Sequence, residues 1–258
     1  MFVERQGWGD EVFLALHGWG GDRRAFAPLA SLVPAHASLY TADLPGCGRS
    51  AAPRAWSVET VVEEVVGLAR YVAPGRVNLV GSCGGAVFAL LAAKELGREC
   101  VRVTMIDPFA YLPRYFRLFL VGEFGRRAYE ATFASPLGRW LTNQALGSGR
   151  EGAGDLTATF AEADHEVARR YLALFDEIGG VEIFRGVETP VEIAYGEKTF
   201  GAVRRSLALW REVLPHALVR ELKGAGHLPL EEATGEVAEV IFGTAAASAS
   251  ALAAGGGK

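Results

Sequence analysis

The segment Val77-Asn78-Leu79-Val80-Gly81-Ser82-Cys83-Gly84-Gly85-Ala86 constrains this chain more than any other. An apolar run of strand length ends at Gly81, and an alanine- and leucine-rich stretch of helical character starts at Gly84. A strand that turns directly into a helix strains the residue between them, so the positions two before and two after must be small. Gly81 and Gly85 satisfy that rule around Cys83. Ser82 fails it, because its frame puts Val80 two residues upstream. The spacing therefore predicts a strand, a sharp elbow presenting Cys83 above a sheet, and a helix from Gly84 to Leu96. The positive end of that helix dipole would favour an anion at Cys83. The plainer alternative is an inert cysteine buried at a tight turn.

Other apolar runs have the same character: Val12–Leu16, Leu39–Ala42, Val101–Ile106, Val191–Tyr195 and Leu218–Leu222. Short continuous runs suit parallel strands covered on both faces. Helical spacing lies between them. Ser57 can cap a helix that presents Val58, Val61, Val62, Val65, Val66 and Ala69 on one face, and further helices are expected near 203–213 and 234–242. Strands alternating with helices predict an α/β fold, a doubly wound and mostly parallel sheet. The alternation breaks at 108–180, which holds 12 of the 26 aromatic residues, among them Tyr111, Tyr115, Phe116, Phe119, Tyr129 and Phe133, and eight arginines. We read it as a helical insertion, a cap over an apolar pocket or a subdomain with its own aromatic core, interrupted by a glycine-rich loop near Gly147–Gly154. The core is then 1–107 and 181–243, and 244–258 is a low-complexity tail expected to be disordered.

Composition narrows the function. A net charge of -4 gives no basic excess for nucleic acid, and no apolar run reaches the roughly 18–20 residues of a membrane span. Three cysteines without pairing or metal spacing, and a start lacking signal-peptide order, predict a cytoplasmic protein. No HExxH or Cys/His cluster occurs, so neither metal nor cofactor is expected.

Two further segments complete a chemistry. His17-Gly18-Trp19-Gly20-Gly21 follows the first long run. Its glycines let backbone approach a reacting carbonyl, and the N–H groups of Trp19 and Gly84 are the expected oxyanion donors. His17 is expected to hold that loop by a hydrogen bond. Gly224-Ala225-Gly226-His227 lies in a glycine-flanked loop after the last run, a suitable place for a general base.

Together with Asp43-Leu44-Pro45-Gly46-Cys47-Gly48-Arg49-Ser50, which matches a D-x-P-G-x-G-x-S loop, these motifs resemble the α/β-hydrolase superfamily in its small capped branch. The similarity runs from about Val12 to Phe242, with 108–180 where that family places its cap. The chain departs from the family pattern twice. Cysteine replaces the usual elbow serine, as in dienelactone hydrolases and polyester synthases. Thr199 occupies the position where the family's acid normally stands, in Tyr195-Gly196-Glu197-Lys198-Thr199. Some members supply the acid one strand earlier, which here is Asp107. Asp107 is either that acid or the cap of an Asp-Pro turn, and Glu197 is a weaker substitute.

The resemblance implies a hydrolase acting on a hydrophobic ester or thioester through an acyl-Cys83 intermediate, with His227 as general base and acid. Two other readings stay open: an acyltransferase or condensing enzyme using the same intermediate, and a ligand-binding member that lost the triad acid.

Overall fold

The computed structural model describes residues 1–147 and 154–243. The tail at 244–258 and residues 148–153 of the glycine-rich stretch lie outside the described residues. Among the described residues seven strands form one sheet in the order β1-β3-β2-β4-β5-β6-β7. They are β1 (Val3–Gln6), β2 (Glu11–Leu16), β3 (Ala37–Ala42), β4 (Val77–Ser82), β5 (Cys100–Ile106), β6 (Val191–Gly196) and β7 (Leu218–Leu222). All pairings are parallel except that of β1 with β3. The six strands expected from the apolar runs are present, each within two residues of its expected ends. Strand β1 was not anticipated. It is four residues long with Glu4 and Arg5 exposed, and only its pairing with Leu39–Ala42 makes it a strand.

The helices are α1 (Val58–Val72), α2 (Gly84–Leu96), α3 (Gly122–Tyr129), α4 (Pro136–Gly147), α5 (His165–Ile178), α6 (Gly201–Val213), α7 (Pro229–Glu232) and α8 (Thr234–Phe242). Ser57 caps α1 by accepting from Thr60 N at 3.2 Å, and Val61, Val62, Val65, Val66 and Ala69 are buried. Alternation along β2 explains its unbroken apolar run. Leu14 and Leu16 join one cluster with α1, α2 and α6, whereas Phe13 and Ala15 face a second cluster with α8 and a 3-10 segment at Arg23–Leu32. Each fully buried Leu or Phe of these two layers contributes about 1.5–3 kcal/mol.

The long connection from β5 to β6 carries α3, α4 and α5, 3-10 turns at Arg114–Leu120, Ala158–Ala161 and Val181–Phe184, and a π turn at Glu130–Ala134. Tyr129, Phe133, Phe160, Ala168 and Leu172 form its own cluster. Val181, Phe184 and Val187 return to the main core. Its arginines mostly face solvent in ion pairs, Arg117 with Asp176 and Arg126 with Glu123 and Glu130. Arg139 instead donates to the carbonyls of Phe133 and Ala134. No helix among the described residues is long and apolar enough to cross a membrane.

Candidate active site

Register brings the candidate residues to one edge of the sheet. Ser82 at the end of β4 pairs with Ile106 at the end of β5, so Cys83 and Asp107 leave adjacent strands side by side. Both are non-glycine residues at φ 50°, the left-handed region that favours glycine. The strain at Cys83 is sustained by close packing on both sides. A Cβ on Gly81 would meet Ala86 Cα at 2.3 Å, and one on Gly85 would meet the Leu16 and His17 carbonyl oxygens at 2.3 Å. Cys83 N donates to Ile106 O and Asp107 N to Ala194 O, pinning each residue to the neighbouring strand end. Such carboxyl ends of parallel strands are where ligands bind in open α/β sheets.

His227 arrives from the loop after β7, and its Nδ1 hydrogen-bonds Asp107 Oδ2. The same oxygen accepts from Thr199 Oγ1, and Asp107 Oδ1 accepts from Gly196 N at 3.0 Å. Asp107 is thus a buried carboxylate with three donors. Thr199, at the family's usual acid position, binds the carboxylate that faces the histidine. Glu197 turns instead to the N–H of Gly224. The Thr199–Asp107 bond has no sequence signal, since 92 residues separate the partners. Sequence reasoning also missed the clamp on the histidine loop, where Glu232 accepts from Gly226 N at 2.5 Å and Leu228 N at 3.3 Å.

The imidazole has Phe109 and Phe200 against its ring, at centroid distances of 5.4 and 4.5 Å. Burial by itself lowers its pKa. The hydrogen bonds and charges of Asp107 and Cys83 outweigh that and raise it to about 10. The other two cysteines are different in kind. Burial, with Asp43 adding to it at Cys47, pushes the Cys47 thiol up to about 12, and burial does the same at Cys100.

The oxyanion candidates border Cys83. A Cβ on Gly18 would lie 3.1 Å from Cys83 Cβ, so the loop that carries Trp19 runs against the elbow. Among the described residues no acceptor is found for the backbone N–H of Trp19 or of Gly84. His17 is structural, as expected. Its Nδ1 donates to Gly18 O at 2.8 Å and its Nε2 accepts from Leu44 N at 3.0 Å, so both ring nitrogens are occupied. Asp43, fully buried, gathers the next loop by accepting from Arg23 N and Arg49 N.

Above these groups lies a cavity of about 390 Å³. Trp19, Cys83, Gly84 and His227 line it from the core, and Phe116, Phe119, Phe133, Phe160, Leu172 and Phe175 line it from the long connection. The arrangement can present a thiol, a base and two unpaired N–H donors to an apolar molecule.

Comparison with known proteins agrees with this architecture. The chain is similar to the pimeloyl-[acyl-carrier protein] methyl ester esterase of Aeromonas salmonicida, 26% identical over 93% of this chain and 96% of that protein. The enzyme of that name from Sodalis glossinidius is 33% identical over 100 residues, which are 39% of this chain and 36% of that protein. Among solved structures, a thermophilic esterase from Thermogutta terrifontis superposes with a TM-score of 0.73 at 19% identity, covering 93% of this chain and 91% of that one. The sequence profile of the Alpha/beta hydrolase family matches residues 12–240. With that profile spanning most of the chain and the sheet order and elbow in place, the chain belongs to the alpha/beta hydrolase family.

Proposed function

We propose that this esterase-type alpha/beta hydrolase cleaves a hydrophobic carboxylic ester or thioester through an acyl-Cys83 intermediate. One observation carries the reading: His227, bound through Nδ1 to the buried Asp107, lines the floor of the same apolar cavity as Cys83, which helps to raise the imidazole's pKa. The Cys83 thiolate, its proton held on His227 Nε2, attacks the carbonyl carbon. The N–H groups of Trp19 and Gly84 stabilise the oxyanion. Collapse breaks the C–O or C–S bond, and the leaving group takes the proton from His227. His227 then removes a proton from water, which attacks the thioester carbonyl and releases the acid and Cys83. Asp107 keeps the proton on Nδ1 and steadies the imidazolium.

The raised pKa suits this order of events. While Cys83 carries charge, it helps hold His227 protonated. Once Cys83 is acylated, that support is gone, and the imidazole returns toward the neutral form that activates water.

Residues 108–180 act as the cap, and their aromatic lining selects an apolar acyl chain. The names of the relatives make an acyl methyl ester the first substrate to test and an acyl thioester the second. The reading in which the protein lost its triad acid has little support, because Asp107 supplies a carboxylate where Thr199 does not.

The test is intact-protein mass spectrometry after brief mixing with methyl esters, activated esters and acyl thioesters. The expected result is a mass increase on Cys83 that decays as free acid appears, absent in Cys83→Ala. Full turnover by Cys83→Ala would refute the mechanism, and decay only in the presence of an added alcohol or amine would redirect it to acyl transfer.

A further inference from the structure

The acyl-Cys83 reading leaves open what aims the Trp19 N–H. Local sequence does not: Gly18, Gly20 and Gly21 surround it, and Gly20 sits at φ +72°. A loop so poor in side chains takes its shape from tertiary contacts. The Trp19 indole supplies them. Its Nε1–H donates to Ala168 O on α5 at 2.7 Å, and its ring meets Phe116, Phe133 and Phe160 edge-on at 5.3, 5.1 and 4.7 Å. All four partners belong to the long connection between β5 and β6.

The second donor is covered by the same element. A Cβ on Gly84 would lie 2.4 Å from Phe175 Cζ, so the Phe175 ring occupies the space that any side chain there would need. Ala168, Tyr171 and Phe175 share one face of α5, at the i, i+3, i+7 spacing of a helix. Tyr171 fastens that face to the core by donating to Pro45 O at 2.9 Å. One helical face therefore reaches the Trp19 indole, the Asp43–Ser50 loop and Gly84.

We propose that α5 completes the oxyanion hole, with the Trp19 side chain as the positioning residue that ties the Trp19 N–H to the connection. This rests on the acyl-Cys83 reading. Its consequence is that the donors are aimed only when α5 is seated, so displacement of the connection removes transition-state stabilisation as well as opening the cavity. A displacement of about 1 Å at a reacting centre can cost on the order of 10²-fold in rate.

Trp19→Phe removes the bond to Ala168 O while keeping a smaller ring in the cluster, and Phe175→Leu loosens the cover over Gly84. Arg117→Ala, which breaks the exposed pair with Asp176 on the same helix, serves as control. For each, three quantities are measured: single-turnover acylation of Cys83 by the best ester, KM, and alkylation of Cys83 by iodoacetamide. Alkylation builds no oxyanion, so it reports the thiol and His227 alone.

In Trp19→Phe acylation falls roughly 10-fold, a part of the ~10²–10³ lost when an oxyanion donor is deleted outright. KM and alkylation stay within twofold, Phe175→Leu behaves alike, and Arg117→Ala matches the wild type. Equal losses in acylation and alkylation, a loss confined to KM, or unchanged acylation in Trp19→Phe would each overturn the proposal. If the wild-type protein forms no adduct on Cys83 with any ester or thioester, the underlying reading fails and this one with it. The wild-type arm separates that outcome from the others.

Discussion

Replacing Asp107 with asparagine changes one atom of the buried carboxylate and has a calculable consequence. Gly196 N–H points at Oδ1, so the asparagine carbonyl oxygen takes that place and its NH2 faces Thr199 and His227. Thr199 can rotate its hydroxyl to accept. His227 cannot adapt so easily, because an NH2 facing Nδ1 forces the proton to Nε2, the nitrogen that must receive the thiol proton. Acylation then depends on spontaneous ionisation. An unassisted cysteine is only a few per cent thiolate at pH 7, which makes the step roughly 30-fold slower. Deacylation suffers more, since general-base activation of water contributes about 10²–10⁴-fold. The expected phenotype of Asp107→Asn is an enzyme that acylates slowly, hydrolyses more slowly still, and accumulates acyl-Cys83. Raising the pH to about 9 should recover most of the acylation rate and little of the deacylation rate. Stopped-flow release of the leaving group, followed by mass analysis of the quenched protein, separates the two steps. Turnover within threefold of wild type at pH 7 would refute the assignment of Asp107, and so would equal recovery of both steps at high pH.

Three other outcomes are expected. Gly85→Ala places a methyl 2.3 Å from the Leu16 and His17 carbonyl oxygens, backbone that cannot yield. It should cost about 1–3 kcal/mol or more by urea denaturation and abolish adduct formation. His17→Leu leaves the buried Leu44 N–H without a partner, about 1–3 kcal/mol, while Gly18 C=O keeps its bond from Gly21 N, so the change should lower the unfolding midpoint and not act as a point loss of catalysis. His227 has a folded-state pKa raised from 6.5 to about 10, so its stabilising contribution is complete below pH 6.5 and is lost as pH rises toward 10. Chemical denaturation of the wild type and of His227→Gln at pH 6.5, 8 and 10 should show a decline with pH that the variant lacks.

Much of this protein was legible in its sequence because the governing rules are local. A strand buried on both faces must be apolar along its length, and six such runs emerged as six strands. The elbow reads from five consecutive positions, since the crowding at Gly81 is imposed by the turn itself, although that at Gly85 comes from the carbonyls at the end of β2. The cap at Ser57 is equally local. Strand β1 escaped because an exposed edge strand has no apolar run, and the 3-10 segment at Arg23–Leu32 because Pro28 interrupts any helical pattern.

What the tertiary structure alone decided is which groups meet. Sequence left Asp107 poised between a turn cap and an acid, and showed Thr199 only as a missing carboxylate. The parallel register of β4, β5 and β6 sets Cys83 beside Asp107, and the loops after β6 and β7 bring Thr199 and His227 to the same carboxylate. The indole of Trp19 finds Ala168 across 149 residues. Hydrogen bonds of this kind act over about 3 Å of space whatever the length of chain between partners, so no spacing rule along the sequence can encode them.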